Sequence, residues 1–375
     1  MRRAPRLAVL LLALATLLAG PAPAEIRQTE AGAVEIAAIA TGFDVPWALD
    51  FLPGGGVLVT ERDGRLVHLR PDGSRQIVSG TPDVWARGQG GLLDVMVPRD
   101  FAQSREIFLT YARPQPGGAG TALARGRLAE AGDRLENLQL LWQLAPGSSG
   151  GRHFGSRVAE GPDGHLFVSV GDRGDRPSAQ DAANENGAIV RLTRDGAVPA
   201  DNPLVGQEGA RPGIWSWGHR NPQGLAFDAA GRLWAIEHGA RGGDEVNLIR
   251  KGRNYGWPVI SYGRHYSGLP IGEGTAQPGM EQPAHYWDPS IAPSGMAFVG
   301  AGMFPAWEGD MMTGSLNSDF LSRLEVDGTD MREVERIATP ETRRVRDVAV
   351  GPDGAVWFLS EGNGALYRMV PAGTG

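Results

Sequence analysis

Cysteine is absent from this 375-residue sequence, which excludes disulfides, thiolate metal sites and cysteine nucleophiles together. Lysine is nearly absent: of 36 basic residues only Lys251 is a lysine, so Schiff-base chemistry has a single candidate. After the N-terminus no apolar run approaches the length of a membrane helix, and no amphipathic run of helical period lasts three turns. A basic run is missing too, and the formal net charge is −7. The chain therefore lacks the phosphate-neutralising surface on which nucleic-acid binding depends. What is plentiful is glycine, 55 residues, and proline, 27. Both are costly inside helices while turns require them, so the fold is turn-rich and not mainly helical. Ten tryptophans indicate a packed core and argue against disorder. The length permits two or three ordinary domains, or one large propeller or barrel.

The first residues have the form of a targeting segment. Arg2, Arg3 and Arg6 precede the apolar stretch Leu7 to Leu18, and Ala22-Pro23-Ala24 supplies small residues at cleavage spacing. Cleavage near Ala24 is expected, with residues 1–24 as signal peptide and 25–375 as the mature domain, periplasmic or secreted. A retained N-terminal anchor is the alternative. Cleavage removes three arginines and no acids, leaving the mature chain more acidic and without a membrane span.

One pattern recurs, an apolar strand running into a Pro/Asp/Gly turn followed by a second apolar strand. It reads WALDFLPGGGVLVTE from Trp47, VAEGPDGHLFVSVGD from Val158, GLAFDAAGRLWAIEHG from Gly224 and VAVGPDGAVWFLSEG from Val348. Asp-Gly between period-2 apolar runs signals a hairpin. The turns centre near residues 54, 163, 230 and 353, and the first and last gaps are each wide enough for one further unit. Weaker strand runs at 92–97 and 107–111, and at 296–304 and 320–326, occupy those gaps. The reading is all-β: a six-bladed β-propeller of four-stranded antiparallel sheets, with Val34–Ala40 completing the last blade. A pair of β-sandwiches or a β-helix is the alternative. Long insertions at 174–207 and 253–286 are expected to wall one mouth of the channel.

Some familiar signatures fail. Gly147-Ser148-Ser149-Gly150-Gly151 matches a nucleophile elbow only formally, because it lacks the strand-to-helix context. Gly88-Gln89-Gly90-Gly91 has no helix after it to face a pyrophosphate, and Arg173-Gly174-Asp175 reads as an exposed turn. Four other segments concentrate polar groups at strand ends. His153 stands at a strand mouth with Asp172 one hairpin away, which suits either a base held in one tautomer or a satisfied structural histidine. His219-Arg220-Asn221 precedes a buried strand as a cation and an amide, or as a plain polar turn. The loop from Glu237 to Glu245 is Gly-rich and acidic, able to offer oxygens to a hard cation such as Ca²⁺, but without EF-hand spacing. Arg344 and Arg346 fall on one strand face by period 2, aimed at a polyanionic ligand or forming a surface ladder.

Taken in order, these segments resemble the soluble quinoprotein sugar dehydrogenases, the pyrroloquinoline-quinone (PQQ) glucose dehydrogenase and its aldose sugar dehydrogenase relatives. The matching residues are GQGGLLDV from Gly88, HFGSR from His153 with VSVGDRG, GHRNPQGL from Gly218, DEVNLIRKGRNYGWP from Asp244, PSIAPSG from Pro289 and RRVRDVAVGPDG from Arg343. They span residues from about 41 to 370.

The resemblance implies oxidation of an aldose at C1, with hydride passing to C5 of PQQ and the electrons later to an unidentified acceptor. It makes His153 the general base, Asp172 the residue that orients it, and Arg220 the group that polarises the quinone. Gln89, Asn221, Arg344 and Arg346 match positions that hold the quinone's carboxylates and carbonyls. Gly239 and Ala240 match backbone ligands of the calcium that bridges to PQQ, and Glu245 and Tyr255 match ligands of a second, structural calcium. There is one marked departure: Asn317 stands where the family carries a quinone-contacting lysine, and Lys251 does not obviously substitute. Arg152 also stands where the glucose enzyme has an acid, which leaves substrate preference open. Two other functions remain open at this level, a calcium-dependent six-bladed lactonase and a noncatalytic propeller with weakened PQQ binding.

Overall fold

The Asp-Gly turns close hairpins for a local reason visible in the computed structural model, which describes residues 25–374. In Gly161–His165 the Asp163 carboxylate accepts the His165 N–H at 3.1 Å, and Gly164 takes φ 78°. Gly351–Ala355 repeats the device, with Asp353 accepting from Ala355 at 3.1 Å and Gly354 at φ 82°. A β-carbon at either glycine would be strained by that left-handed backbone.

The strands assemble into six antiparallel sheets. Blade 1 is Pro46–Phe51, Val57–Glu61, Leu66–Leu69 and Arg75–Val78. Blade 2 is Leu92–Met96, Glu106–Gln115, Gly118–Leu128 and Leu135–Gln143. Blade 3 is Val158–Glu160, Leu166–Ser169, Ala188–Leu192 and Ile214–Trp217, and blade 4 is Pro222–Phe227, Leu233–Glu237, Asp244–Ile249 and His285–Trp287. Blade 5 is Pro293–Phe298, Met311–Ser315, Leu321–Asp327 and Asp330–Ile337. Blade 6 takes Val345–Val350, Val356–Ser360 and Ala365–Pro371 from the C-terminus and Gly32–Thr41 from the N-terminal side, paired antiparallel to Ala365–Pro371. The expected closing strand is thus present. Glu25–Thr29 adds a fifth strand to that sheet, as a hairpin partner of Gly32–Thr41.

Apolar clusters fill the spaces between neighbouring blades, with Trp47, Trp234 and Trp307 among the largest fully buried side chains. Buried hydroxyls stitch several of the blades to the next. Thr60 of blade 1 donates to the Leu93 carbonyl at 2.5 Å, Thr110 of blade 2 to Ser156 at 2.5 Å, and Ser294 of blade 5 to Val345 at 2.8 Å. A carboxylate closes the ring, Asp347 accepting the Leu49 N–H at 2.9 Å.

In every blade the first strand runs away from one mouth to the hairpin turn, and the second returns to it. Segments before a first strand and after a second strand therefore gather at that mouth. Two expectations about the loops need correction. The stretch 174–207 is not one insertion, since Ala188–Leu192 within it is a blade strand and only the segment before that strand reaches the mouth. The 253–286 segment does climb back, bridging Trp217 to Asn254 and Arg241 to Arg264. The expected turn at Arg173-Gly174-Asp175 is present, closed by the Asp175 N–H to the Asp172 carbonyl at 2.9 Å, but Arg173 is not exposed: its guanidinium lies 3.4 Å from the Phe154 ring centroid and donates to the Gly150 carbonyl at 2.7 Å. The 1–24 segment lies outside the described residues. Among those described, no helix is long and apolar enough to cross a membrane.

Candidate functional site

His153 enters the mouth just ahead of blade 3 with φ 54°, a left-handed conformation that a non-glycine residue adopts at a cost of about 1–3 kcal/mol. Its surroundings fix it there. The Gln89 side-chain oxygen accepts its backbone N–H at 2.7 Å, and its carbonyl lies where a β-carbon on Gly171 would stand, 2.2 Å away. The imidazole Nδ1 donates to Asp172 Oδ1 at 2.6 Å, which leaves Nε2 as the lone-pair nitrogen. Asp172 is fully buried and otherwise saturated: Gly174 N–H reaches Oδ1 at 2.7 Å and the Trp257 indole reaches Oδ2 at 2.8 Å. Burial opposes its ionisation, yet the hydrogen bond from His153 and these donors hold its carboxyl below the ordinary range. For His153, burial outweighs the Asp172 carboxylate and, with Arg220 nearby, lowers the imidazole below its usual value.

Beside this pair opens a cavity of about 160 Å³. Gln89, Asn221, Gln223, His238, Asn317, Arg344 and Arg346 supply most of its polar wall, and Trp47 and Phe154 much of the apolar remainder. Arg344, at φ 50°, stands just before its strand rather than on it; Arg346 is on it, and both still reach the same cavity. Arg344 is paired to Glu361 at 2.8 Å. Arg346 has no carboxylate partner: Nη2 donates to Gln223 at 2.9 Å, Nε has no partner, and burial pulls it down to about 9. Asn221 Oδ1 accepts from Gly155 N–H at 3.2 Å and from Gln223 at 3.1 Å, tying the His153 loop to Arg346 through two amides. Asn317 is exposed and donates to the Ser290 carbonyl at 3.1 Å. Lys251 is elsewhere, 3.8 Å from Asp201.

Arg220 faces a second, small cavity with Glu237, Gly239, Glu245, Tyr255 and Trp257, and its Nε is likewise unpartnered. Its backbone N–H donates to Glu237 at 2.6 Å, its Nη1 reaches the His238 carbonyl at 3.2 Å, and burial lowers its pKa. Glu245 is pushed up to about 8 by burial and by the neighbouring Glu237. Two carboxyls that repel one another across a cavity suit a cation between them. The Glu237–Asp244 loop is curled so tightly that a β-carbon on Gly239 would meet the Gly242 and Gly243 oxygens at 2.2 and 2.3 Å, a cradle of carbonyls. Ala240 is buried in the same loop, packed with Trp257. Tyr255 is close by, but its hydroxyl is committed to the Leu248 carbonyl at 2.5 Å, so its backbone oxygen is the group left for a metal.

Sequence reasoning assigned no role to Gln223, His238 or Trp257. Gln223 and Trp257 lie inside the segments GHRNPQGL and NYGWP, and the signal was the motif's length beyond its charged residues. His238 donates from Nε2 to the Pro293 carbonyl at 2.7 Å and is lowered to about 3 by burial, a neutral imidazole that lines both cavities.

The propeller mouth thus sets a carboxylate-backed histidine beside a wall of guanidiniums and amides. A family profile described as Glucose / Sorbosone dehydrogenase matches residues 43–368. The protein described as aldose sugar dehydrogenase YliI from Escherichia coli K12 is 43% identical over 345 residues, covering 90% of this chain and 93% of that protein. The crystal structure of the soluble E. coli aldose sugar dehydrogenase in its apo-form superposes with a TM-score of 0.87 at 42% identity, covering 90% of this chain and 99% of that one. The PQQ-bound aldose sugar dehydrogenase of Streptomyces coelicolor gives 0.74 at 27% identity, covering 94% and 99%. This chain belongs to the glucose/sorbosone dehydrogenase family.

Proposed function

We propose that the protein is a PQQ- and Ca²⁺-dependent aldose sugar dehydrogenase that oxidises the anomeric carbon to a lactone in the periplasm or outside the cell. The observation that carries this is the 2.6 Å His153–Asp172 pair standing beside a cavity in which the buried guanidinium of Arg346 has no protein carboxylate. A buried cation without a counter-ion calls for an anionic ligand, and PQQ is a planar tricarboxylate. When bound, the quinone supplies a two-electron oxidant that accepts hydride.

The remaining work falls to this chain's own groups. His153 Nε2 takes the anomeric hydroxyl proton, with Asp172 fixing the tautomer and stabilising the imidazolium that forms. Because the imidazole pKa is lowered, the base is in its neutral, competent form at neutral pH. Arg220 would stabilise negative charge on the ligand, its Nε free and its backbone pinned by Glu237. Gln89, Asn221, Asn317, Arg344 and Arg346 would hold the cofactor's polar edge. Gly239 and Ala240 would bind one calcium through their carbonyls, and Glu245 with Tyr255 a second, which would relieve the Glu237–Glu245 repulsion. The lactonase alternative is disfavoured by the main cavity's lining, in which Glu361 is the one carboxylate and is already paired. The noncatalytic alternative rests on Asn317.

Reconstitution of the purified protein with PQQ and Ca²⁺, followed by dye reduction with several aldoses, tests the reading. A quinone spectrum and turnover are expected, with turnover lost and the spectrum retained in His153→Ala. Absence of any quinone spectrum would sink the proposal, and a spectrum without turnover on any sugar would leave the noncatalytic relative.

A further inference from the structure

Trp257 stands on the 253–286 insertion, yet it meets groups that belong to other parts of the ring. Its indole N–H donates to Asp172 Oδ2 at 2.8 Å, while Oδ1 is shared by His153 and the Gly174 N–H. Among the described residues Oδ2 has this one donor, on a carboxylate that is fully buried. The guanidiniums of Arg220 and Arg176 lie over the indole, 5.4 and 5.2 Å from its ring centroid. The backbone is tied as firmly. The Trp257 N–H donates to the Gly218 carbonyl at 2.9 Å, and the Trp257 carbonyl accepts from the Gln180 amide at 2.7 Å. Gln180 in turn exchanges two amide hydrogen bonds with Asn254, at 2.7 and 3.0 Å. A buried ring held in this way spends its single polar atom on the carboxylate behind the base.

We infer that Trp257 is a positioning residue of the oxidation site: its indole N–H sets how strongly Asp172 supports a proton on His153, and its ring face places Arg220; the inference rests on the dehydrogenase reading above. An N–H donated to Oδ2 stabilises the ionised carboxylate, so the dyad takes up an extra proton less readily with the indole than without it, wherever that proton settles. Around the dyad stand Arg152 and Arg220, facing His153, Arg173, facing Asp172, the neutral His238, and Asp175 on the turn that follows. The three guanidiniums act in the same direction as the indole, but as charges at a distance. Trp257 is the group that touches the carboxylate, and it brings no charge of its own. The base is thereby kept neutral to lower pH while its tautomer stays fixed by Oδ1.

Trp257→Phe keeps an aromatic face for Arg220 and removes the N–H. In the reconstituted holoenzyme the acid limb of the kcat/KM profile for an aldose should move up by about one pH unit. Activity below the limb then falls about tenfold, while on the alkaline plateau it stays within about threefold of the unaltered enzyme. A residue that only held the fold would lower the rate alike at every pH. A uniform loss, or an unmoved limb in the folded variant, overturns the inference. If the variant does not fold, the unaltered protein without cofactor, labelled with ¹⁵N-tryptophan, decides. One indole N–H resonance should lie downfield of the others, shift over the same pH range as the His153 imidazole, and move upfield in Asp172→Asn. No indole that follows the imidazole overturns the inference as well. This second measurement needs no turnover. Failure of aldose to reduce the quinone in the unaltered holoenzyme therefore counts against the dehydrogenase reading, and the resonance alone then upholds or refutes the role of Trp257.

Discussion

Two guanidiniums lie over one indole ring. Arg157 is 4.3 Å and Arg346 4.5 Å from the Trp47 ring, both deeply buried, yet they live under opposite electrostatic regimes. Arg157 belongs to the channel floor: it pairs with Asp94 at 3.1 Å and Asp347 at 2.8 Å and donates from Nε to the Gln223 carbonyl at 2.6 Å. Burial disfavours its charge, but the two carboxylates more than offset that and raise its pKa. Arg346 belongs to the mouth, with one amide partner and a free Nε, and burial lowers it to about 9. The difference separates structure from function along a single channel. The floor satisfies itself, while the mouth leaves a ligand's worth of charge unanswered.

The largest effect that would sharpen this comparison is expected at Asp172, a mouth carboxylate whose proposed role is to orient His153. Asp172→Asn keeps the shape but permits the wrong imidazole tautomer and removes the charge that supports the protonated base. In a comparable dyad that loss is on the order of 10⁴-fold in kcat. Steady-state kinetics of the reconstituted protein should show a fall of at least 10³-fold with melting temperature little changed. In the unaltered enzyme the acid limb of the kcat/KM profile should lie below about pH 6.5, because the lowered imidazole pKa keeps the base neutral to lower pH. A limb above that value would contradict the burial argument.

How much of this was legible beforehand follows from what each element depends on. The blades were readable because Asp163-Gly164 and Asp353-Gly354 encode their turns locally, and strand alternation is a local property too. The third strand of blade 3, Ala188–Leu192, was swallowed by a supposed insertion because its flanking loops are long and it pairs with residues far along the chain. His153 and Asp172 were legible as a pair at one hairpin's separation, whereas Trp257 closes that pair from 85 residues away, and nothing local announces it. The turn at Arg173-Gly174 was legible, but the burial of Arg173 was not, because it comes from tertiary packing against Phe154.

The next largest effect breaks the comparison directly. Arg157→Met strands Asp94 and Asp347 in the channel, and removing one partner of a buried ion pair costs about 3–5 kcal/mol. Thermal or denaturant unfolding should show it as a large loss of stability. Arg346→Met removes a buried charge that no carboxylate answers, so the stability of the cofactor-free protein should stay level or rise. Affinity for PQQ, followed by fluorescence titration, should fall by about 10- to 100-fold, the worth of a charged hydrogen bond of 1.5–3 kcal/mol. If both substitutions destabilise equally, floor and mouth are not distinct.

The smallest effect concerns Asn317, whose position in the family pattern calls for a lysine. The side chain is exposed, holding only the Ser290 carbonyl and accepting from Ser318 at 2.8 Å, so Asn317→Lys gives up little in the fold. The neighbouring Arg344 donates to the Leu316 carbonyl at 2.9 Å and already shares its charge with Glu361. A lysine would therefore add a cation that no carboxylate in the cavity has claimed. At an exposed site an added charge contributes about 0.2–1 kcal/mol, so PQQ should bind up to about fivefold more tightly, and less so at high salt. Titration at two ionic strengths measures this. Unchanged affinity at low salt would mean that the mouth's unanswered charge is confined to its buried arginines, and that residue 317 lies outside the cofactor's reach.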